Sequence, residues 1–167
     1  ARLKAAAYRD TGTRDLPTVG DYVDLIDNEQ GDGLIVATHP RRSLFTRKLP
    51  GTSVREQAVA ANFDEVFVLV SLNRDFSPRR IERYAALSWQ SGATPVVVLT
   101  KADLVESFDG QVSEAMRVAA GVDVFAVSAK TGFGLGALGG YLRPGKTIVL
   151  LGSSGVGKSS FVNALAG

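Results

Sequence analysis

The octapeptide Gly152-Ser153-Ser154-Gly155-Val156-Gly157-Lys158-Ser159 leaves little freedom to the part of the chain that carries it. It fits G-x-x-x-x-G-K-[ST] in full, in the setting such a loop requires. The apolar, β-branched run 147–151 enters it as a strand, and residues 159–165, Ser-Ser-Phe-Val-Asn-Ala-Leu, leave it as a helix. The glycines let the backbone wrap so that successive N–H groups turn inward toward phosphate oxygens. The helix N-terminus adds its partial positive charge. Lys158 can stabilise charge on the β- and γ-phosphates, and the Ser159 hydroxyl is a candidate Mg²⁺ ligand. Gly152 to Ser160 are therefore read as a phosphate cradle on an α/β scaffold. Beyond the charge of Lys158, no catalytic side chain can be assigned.

The cradle does not choose a base. Thr100-Lys101-Ala102-Asp103 does, because it ends an apolar strand, where open α/β sheets bind ligands. A carboxylate at Asp103 can accept hydrogen bonds from N1–H and the exocyclic amine of guanine. Adenine offers an acceptor at N1 and no 2-amino group, which would leave that carboxylate unpaired. The Lys101 stem can cover one face of the base. Ser128-Ala129-Lys130 also follows a strand, and the Ala129 N–H can meet guanine O6. Guanine-nucleotide binding follows, and an ATP-dependent kinase or ATPase is the competing reading. The base motif precedes the phosphate loop, the reverse of the ordinary order, so the domain is expected to be circularly permuted.

Around these motifs, 66–70, 95–99, 122–127 and 147–151 are strand-length apolar runs, and helices are expected over 79–91, 111–120 and 135–142. Apolar strands alternating with helices imply a parallel sheet covered on both faces. In the first helix Ile81, Tyr84, Ala85 and Leu87-Ser88 give a helix-period apolar face, with Trp89 expected to cap that core. Residues 1–38 read instead as short strands joined by Gly, Asp and Asn turns, which fits a partial OB-type barrel. Residues 39–60 read as a basic connector. Its Arg41, Arg42, Arg47 and Lys48 are either a solvated face or contacts to an RNA phosphate backbone. Residues 61–167 are then the permuted nucleotide domain.

Composition narrows the setting without naming a partner. The 167 residues are 45% hydrophobic and 22% charged, as in a globular domain, and the net charge of +2 is too small to identify a ligand. With no cysteine, disulfides and cysteine-liganded zinc are excluded from this stretch. No apolar run reaches the ~18 residues of a membrane span. The expected setting is the cytoplasm, without membrane contact, as a monomer. His39, the single histidine, and Asp64, Asp75 and Asp123 have no neighbours in sequence that suggest metal or acid–base chemistry. No D-x-x-G motif occurs and no switch threonine can be placed. The stretch reads as a fragment, its nucleotide domain incomplete and its switch regions missing.

The motif order, with the segments that accompany it, resembles one family. These are Leu16-Pro17-Thr18-Val19-Gly20-Asp21-Tyr22-Val23, Arg41-Arg42-Ser43, Ala60-Ala61-Asn62-Phe63-Asp64 and Ser71-Leu72-Asn73-Arg74-Asp75-Phe76. Together with Thr100-Lys101-Ala102-Asp103-Leu104 and the phosphate loop, they resemble the bacterial ribosome small-subunit-dependent GTPase A family (RsgA, also called YjeQ). The resemblance implies an OB-fold, a permuted GTPase domain and a C-terminal zinc module whose Cys and His ligands are absent from this stretch. It implies GTP or GDP with Mg²⁺ as ligands and late maturation of the small (30S) ribosomal subunit as the task. Hydrolysis would be stimulated by that subunit, with rRNA as a further partner. The alternatives are a nucleotide-gated rRNA- or ribosome-binding assembly factor with incidental hydrolysis, and another circularly permuted GTPase.

Overall fold

Short alternating segments can bury only one face each, so the N-terminal part of the chain builds small paired sheets. The computed structural model describes residues 1–4, 12–28, 31–48, 56–73 and 75–167, with the Lys48 side chain outside that set. Two units result, Ala1–Phe63 and Asp64–Gly167. In the first, β1 (Arg2–Leu3), β2 (Val23–Ile26) and β3 (Leu34–Thr38) form a sheet in the order β1-β3-β2. β2 runs antiparallel to β3, with a register shift between Asp24 and Leu25, and β1 runs parallel to β3.

The stretch expected to be a connector contains a second sheet. β4 (Leu44–Lys48) and β5 (Glu56–Ala61) pair antiparallel, with a shift between Phe45 and Thr46. Burial explains the pairing: Phe45 stacks on Phe63 at 4.9 Å between ring centroids, and Ala58 and Ala61 are buried. The buried Ser43 hydroxyl donates to the Phe63 carbonyl at 2.6 Å and accepts its N–H at 2.7 Å. The first unit therefore runs to Phe63, past the expected boundary at 60/61.

In the second unit the apolar runs become a parallel sheet. Its strands are β6 (Glu65–Ser71), β7 (Thr94–Thr100), β8 (Asp123–Ala126) and β9 (Ile148–Leu151), in the order β8-β7-β6-β9. Val66 to Val70 and Val96 to Leu99 are fully buried, as strands covered on both faces must be. α1 (Pro78–Gln90) packs on β6 and β7, and α2 (Asp109–Val118) packs on β8. Phe67 and Leu69 form a core with Phe161 of α3 (Lys158–Ala166).

Three expectations fail here, the first being Leu87, which is 41% exposed and lies off the buried face of α1. Trp89 is 55% exposed and does not cap the core. Ile81, Ala85 and Ser88 are the buried positions of α1, and Trp89, one residue after Ser88, lies about 100° around the helix from it. The expected helix over 135–142 is a 3-10 segment, Leu135–Gly140. Gly136, Gly139 and Gly140 each weaken an α-helix by roughly 0.5–1 kcal/mol relative to alanine.

Candidate nucleotide-binding site

The C-terminal ends of β7, β6 and β9 lie side by side, and the loops that leave them build the site. Gly152 must be glycine because a Cβ there would stand 2.8 Å from the Leu69 carbonyl oxygen of β6. Gly157 has φ 100°, which lets the loop turn into α3. The Lys158 ammonium donates to the carbonyls of Gly152 and Ser153, each at 2.9 Å, and so lies folded along the loop.

At the end of β7 the chain reverses through Lys101, at φ 62°. A left-handed conformation at a lysine costs about 1–3 kcal/mol and is retained where surrounding structure enforces it. The Ala102 N–H supplies one restraint, donating to the Val127 carbonyl at 3.1 Å. The Lys101 ammonium supplies another, donating to the Gly155 carbonyl at 2.8 Å, so its stem reaches across to the phosphate loop. The buried Thr100 hydroxyl donates to the Val156 carbonyl at 2.8 Å.

The Asp103 carboxylate is aimed by Ser128, whose hydroxyl donates to Oδ1 at 2.6 Å. Ser128 is itself fully buried, and its hydroxyl accepts the Thr131 N–H at 3.2 Å. The Ser128 hydrogen bond holds the Asp103 carboxyl below the usual range, helped by the charges of Lys130 and Lys101. At neutral pH it is an acceptor-only group. Thr100, Lys101, Asp103, Ala129, Lys130 and Gly157 line one pocket of about 150 Å³, together with the buried Val156 and Phe161. Ser160 lines it too, while Ser154 and Ser159 are exposed on the loop and at the first turn of α3. The three motifs chosen from sequence thus converge.

Two residues of the site escaped sequence reasoning. Asp75 carries a bidentate contact from Arg80, and its Oδ2 accepts the Ser153 hydroxyl at 2.9 Å. These hydrogen bonds, Arg80 first and then Ser153, lower the Asp75 pKa. The available signal was an arginine in the first turn of a helix, five residues after an aspartate. Asp123 and Asp64 also have partners, Tyr141 and Lys146, away from the pocket.

The basic candidates of the first unit divide. Arg41 is not available as a phosphate contact, which corrects the expectation from sequence. Its guanidinium grips Asp21 at 2.8 and 2.7 Å and donates to the carbonyls of Arg14 and Leu16, with the side chain 12% exposed. Arg42 and Arg47 are exposed, Arg47 reaching Gln57 Oε1. The Lys48 side chain and Arg74 lie outside the described residues.

Comparison with known proteins adds an independent line. Residues 38–167 match the family model described as RsgA GTPase. Among curated proteins, the chain is 44% identical to small ribosomal subunit biogenesis GTPase RsgA 1 of Listeria monocytogenes, over 100% of this chain and 46% of that protein. It is also 44% identical to small ribosomal subunit biogenesis GTPase RsgA of Methanosarcina acetivorans, over 90% of this chain and 41% of that one. The chain thus spans about half the length of the curated relatives it matches. Among solved structures, YjeQ from Thermotoga maritima superposes with TM-score 0.73 and 30% identity, over 98% of this chain and 55% of that one. YloQ, a circularly permuted GTPase, gives TM-score 0.64 and 27% identity, over 93% of this chain and 52% of that one. The fold is an OB-like β region followed by a circularly permuted P-loop GTPase domain, the permutation being the one that the motif order implied.

Proposed function

The chain belongs to the RsgA GTPase family, and on that premise we propose that it binds GTP and GDP within a GTP-hydrolysing factor of the small ribosomal subunit. The observation that carries the nucleotide reading is the Ser128–Asp103 hydrogen bond, which presents an ionised carboxylate to a pocket beside the phosphate loop. In this reading Asp103 accepts from guanine N1–H and the 2-amino group, Ala129 N–H meets O6, and Lys101 covers the base. Backbone N–H groups of 153–159 cradle the phosphates and Lys158 neutralises them.

The residues present fit Mg²⁺ that arrives with the nucleotide. Ser159 stands exposed at the first turn of α3, directly after the phosphate-loop lysine. Ser159 would hold the ion beside phosphate oxygens, where its charge stabilises the transferring phosphoryl group. The zinc of the family's C-terminal module is not proposed for these residues.

The task we assign is late maturation of the 30S subunit in the cytoplasm, as a monomer, with hydrolysis accelerated by the subunit. Support comes from the curated relatives, which are small ribosomal subunit biogenesis GTPases. Among the described residues no helix is long and apolar enough to cross a membrane. Arg42 and Arg47, exposed on the OB-like unit, are the proposed rRNA phosphate contacts. GTP turnover of the full-length protein should rise when small subunits are added. Equal turnover with and without them would refute the ribosomal reading and leave the nucleotide site standing.

A further inference from the structure

Asp75, Arg80 and Ser153 make a polar cluster that the recognition of base and phosphates leaves unexplained. Arg80 Nη1 donates to Asp75 Oδ2 at 2.8 Å and to Ser153 Oγ at 3.2 Å, while Nη2 donates to Asp75 Oδ1 at 3.2 Å. The Ser153 hydroxyl donates to Asp75 Oδ2 at 2.9 Å. Asp75 is itself held in place. Asn73 Oδ1 accepts the Ser71 hydroxyl at 2.8 Å and the Asp75 N–H at 3.2 Å, so the end of β6 fixes the turn that carries the carboxylate.

Each charge in the cluster is badly placed alone. Arg80 sits in the first turn of α1, where the macrodipole disfavours a cation, and no acidic residue occupies that turn. Asp75 puts a carboxylate against the second residue of a loop shaped for polyanions. Joined, the two cancel. Local rules broken in mutual compensation are characteristic of functional positions.

We propose that Asp75 and Arg80 form a neutral clamp on the phosphate loop, in which Asp75 fixes the Ser153 hydroxyl and Arg80 cancels the charge that Asp75 would otherwise turn toward the phosphates. Arg80 is a positioning residue, acting through Asp75 and Ser153. The proposal rests on the guanine-nucleotide reading and adds an asymmetry to it. Loss of Arg80 exposes a carboxylate to the nucleotide, whereas loss of the Asp75 charge removes the repulsion along with the hold.

The test is equilibrium binding of fluorescently labelled GDP and a non-hydrolysable GTP analogue to the full-length protein and its variants. Arg80→Gln should weaken binding on the order of 10-fold, more for the GTP analogue than for GDP, and less at high salt. Arg80→Lys, which keeps the charge, and Asp75→Asn should each stay within roughly 3-fold of wild type. The Asp75→Asn/Arg80→Gln double variant should recover most of the Arg80→Gln loss. Ser153→Ala breaks the hold without unbalancing charge, and should weaken both nucleotides alike by about 3-fold with no salt dependence. It decides the matter even where Arg80→Gln fails to fold, since unchanged binding would remove the clamp. Equal losses for Arg80→Gln and Asp75→Asn that add in the double variant would also overturn the proposal. A wild-type protein that binds neither nucleotide would instead sink the guanine reading itself.

Discussion

The Thr100 hydroxyl at the end of β7 donates to the Val156 carbonyl inside the phosphate loop, 2.8 Å away in a buried position. The two residues belong to motifs whose order along the chain is inverted, yet they touch directly. Strand order in the sheet is β8-β7-β6-β9, so the ends of β7 and β9 flank that of β6 whichever is made first. Permutation changes the connections and leaves the site intact.

Thr100→Val is nearly isosteric and removes only this donor. The Val156 carbonyl would then be left without that partner, at a cost of about 1–3 kcal/mol. Denaturant unfolding should show that loss with an unchanged m-value, and GDP affinity should fall with it because the loop is less firmly held. Unchanged stability would mean that another donor takes over.

Guanine choice should depend on Asp103 and on the residue that aims it. Asp103→Asn replaces an acceptor by a group that also donates, so GDP affinity should fall roughly 100-fold or more, and xanthosine diphosphate, with a 2-oxo group, should gain relative to GDP. Ser128→Ala removes the 2.6 Å hydrogen bond and leaves the carboxylate chemically intact. Its loss should be milder, about 10-fold, with discrimination against ATP preserved. Calorimetric titration with GDP, XDP and ATP separates the two, and wild-type GDP affinity in Ser128→Ala would refute the aiming role of Ser128.

What was legible in the sequence was local. The phosphate loop and the Thr-Lys-Ala-Asp and Ser-Ala-Lys motifs are contiguous, so residue types and flanking runs suffice to find them. The clamp of Asp75 and Arg80 on Ser153 was hidden because it depends on β6 lying next to β9, which periodicity does not reveal. Arg41 looked like part of a basic surface because its partner, Asp21, stands twenty residues away. β4 was hidden inside the stretch read as a basic connector because Arg47 and Lys48 fall on it, while the stacking that stabilises it comes from Phe63 on a later segment. In 135–142 hydrophobic spacing argued for a helix, and the glycines decided against it.

Acid should undermine the first unit through that same Asp21–Arg41 pair. Burial alone would raise the Asp21 pKa, but the Arg41 and Thr18 hydrogen bonds and the Arg41 charge together lower it. A carboxyl with a lowered folded-state pKa contributes its full stability above the unfolded value, near 3.8, and loses it as pH falls through the folded value. Asp21→Asn should therefore flatten the stability profile below about pH 4. At neutral pH Arg41→Gln should cost about 1.5–3 kcal/mol, because it removes the charged donor from a carboxylate whose side chain is only 1% exposed and leaves it the Thr18 N–H. Urea unfolding across that pH range tests both, and an equally steep acid loss in Asp21→Asn would assign the effect to other carboxylates.

Alkali should act on the second unit through Tyr141. Its ring packs edge-on against Phe67 and Phe125, both at 5.9 Å, and its hydroxyl donates to Asp123. Burial first, and then the hydrogen bond to Asp123, push the phenol up to about 12. A group whose folded-state pKa is raised contributes fully below its unfolded value, 10.0, and loses that contribution as pH climbs toward 12. Tyr141→Phe keeps the ring contacts and removes the titration. Tyrosinate absorbance should lose its highest-pH component in this variant, and the difference in stability between wild type and variant should shrink steadily from pH 10 to pH 12. A constant difference across that interval would show that Tyr141 titrates alike in folded and unfolded chains, and would remove Asp123 as the partner that holds its proton.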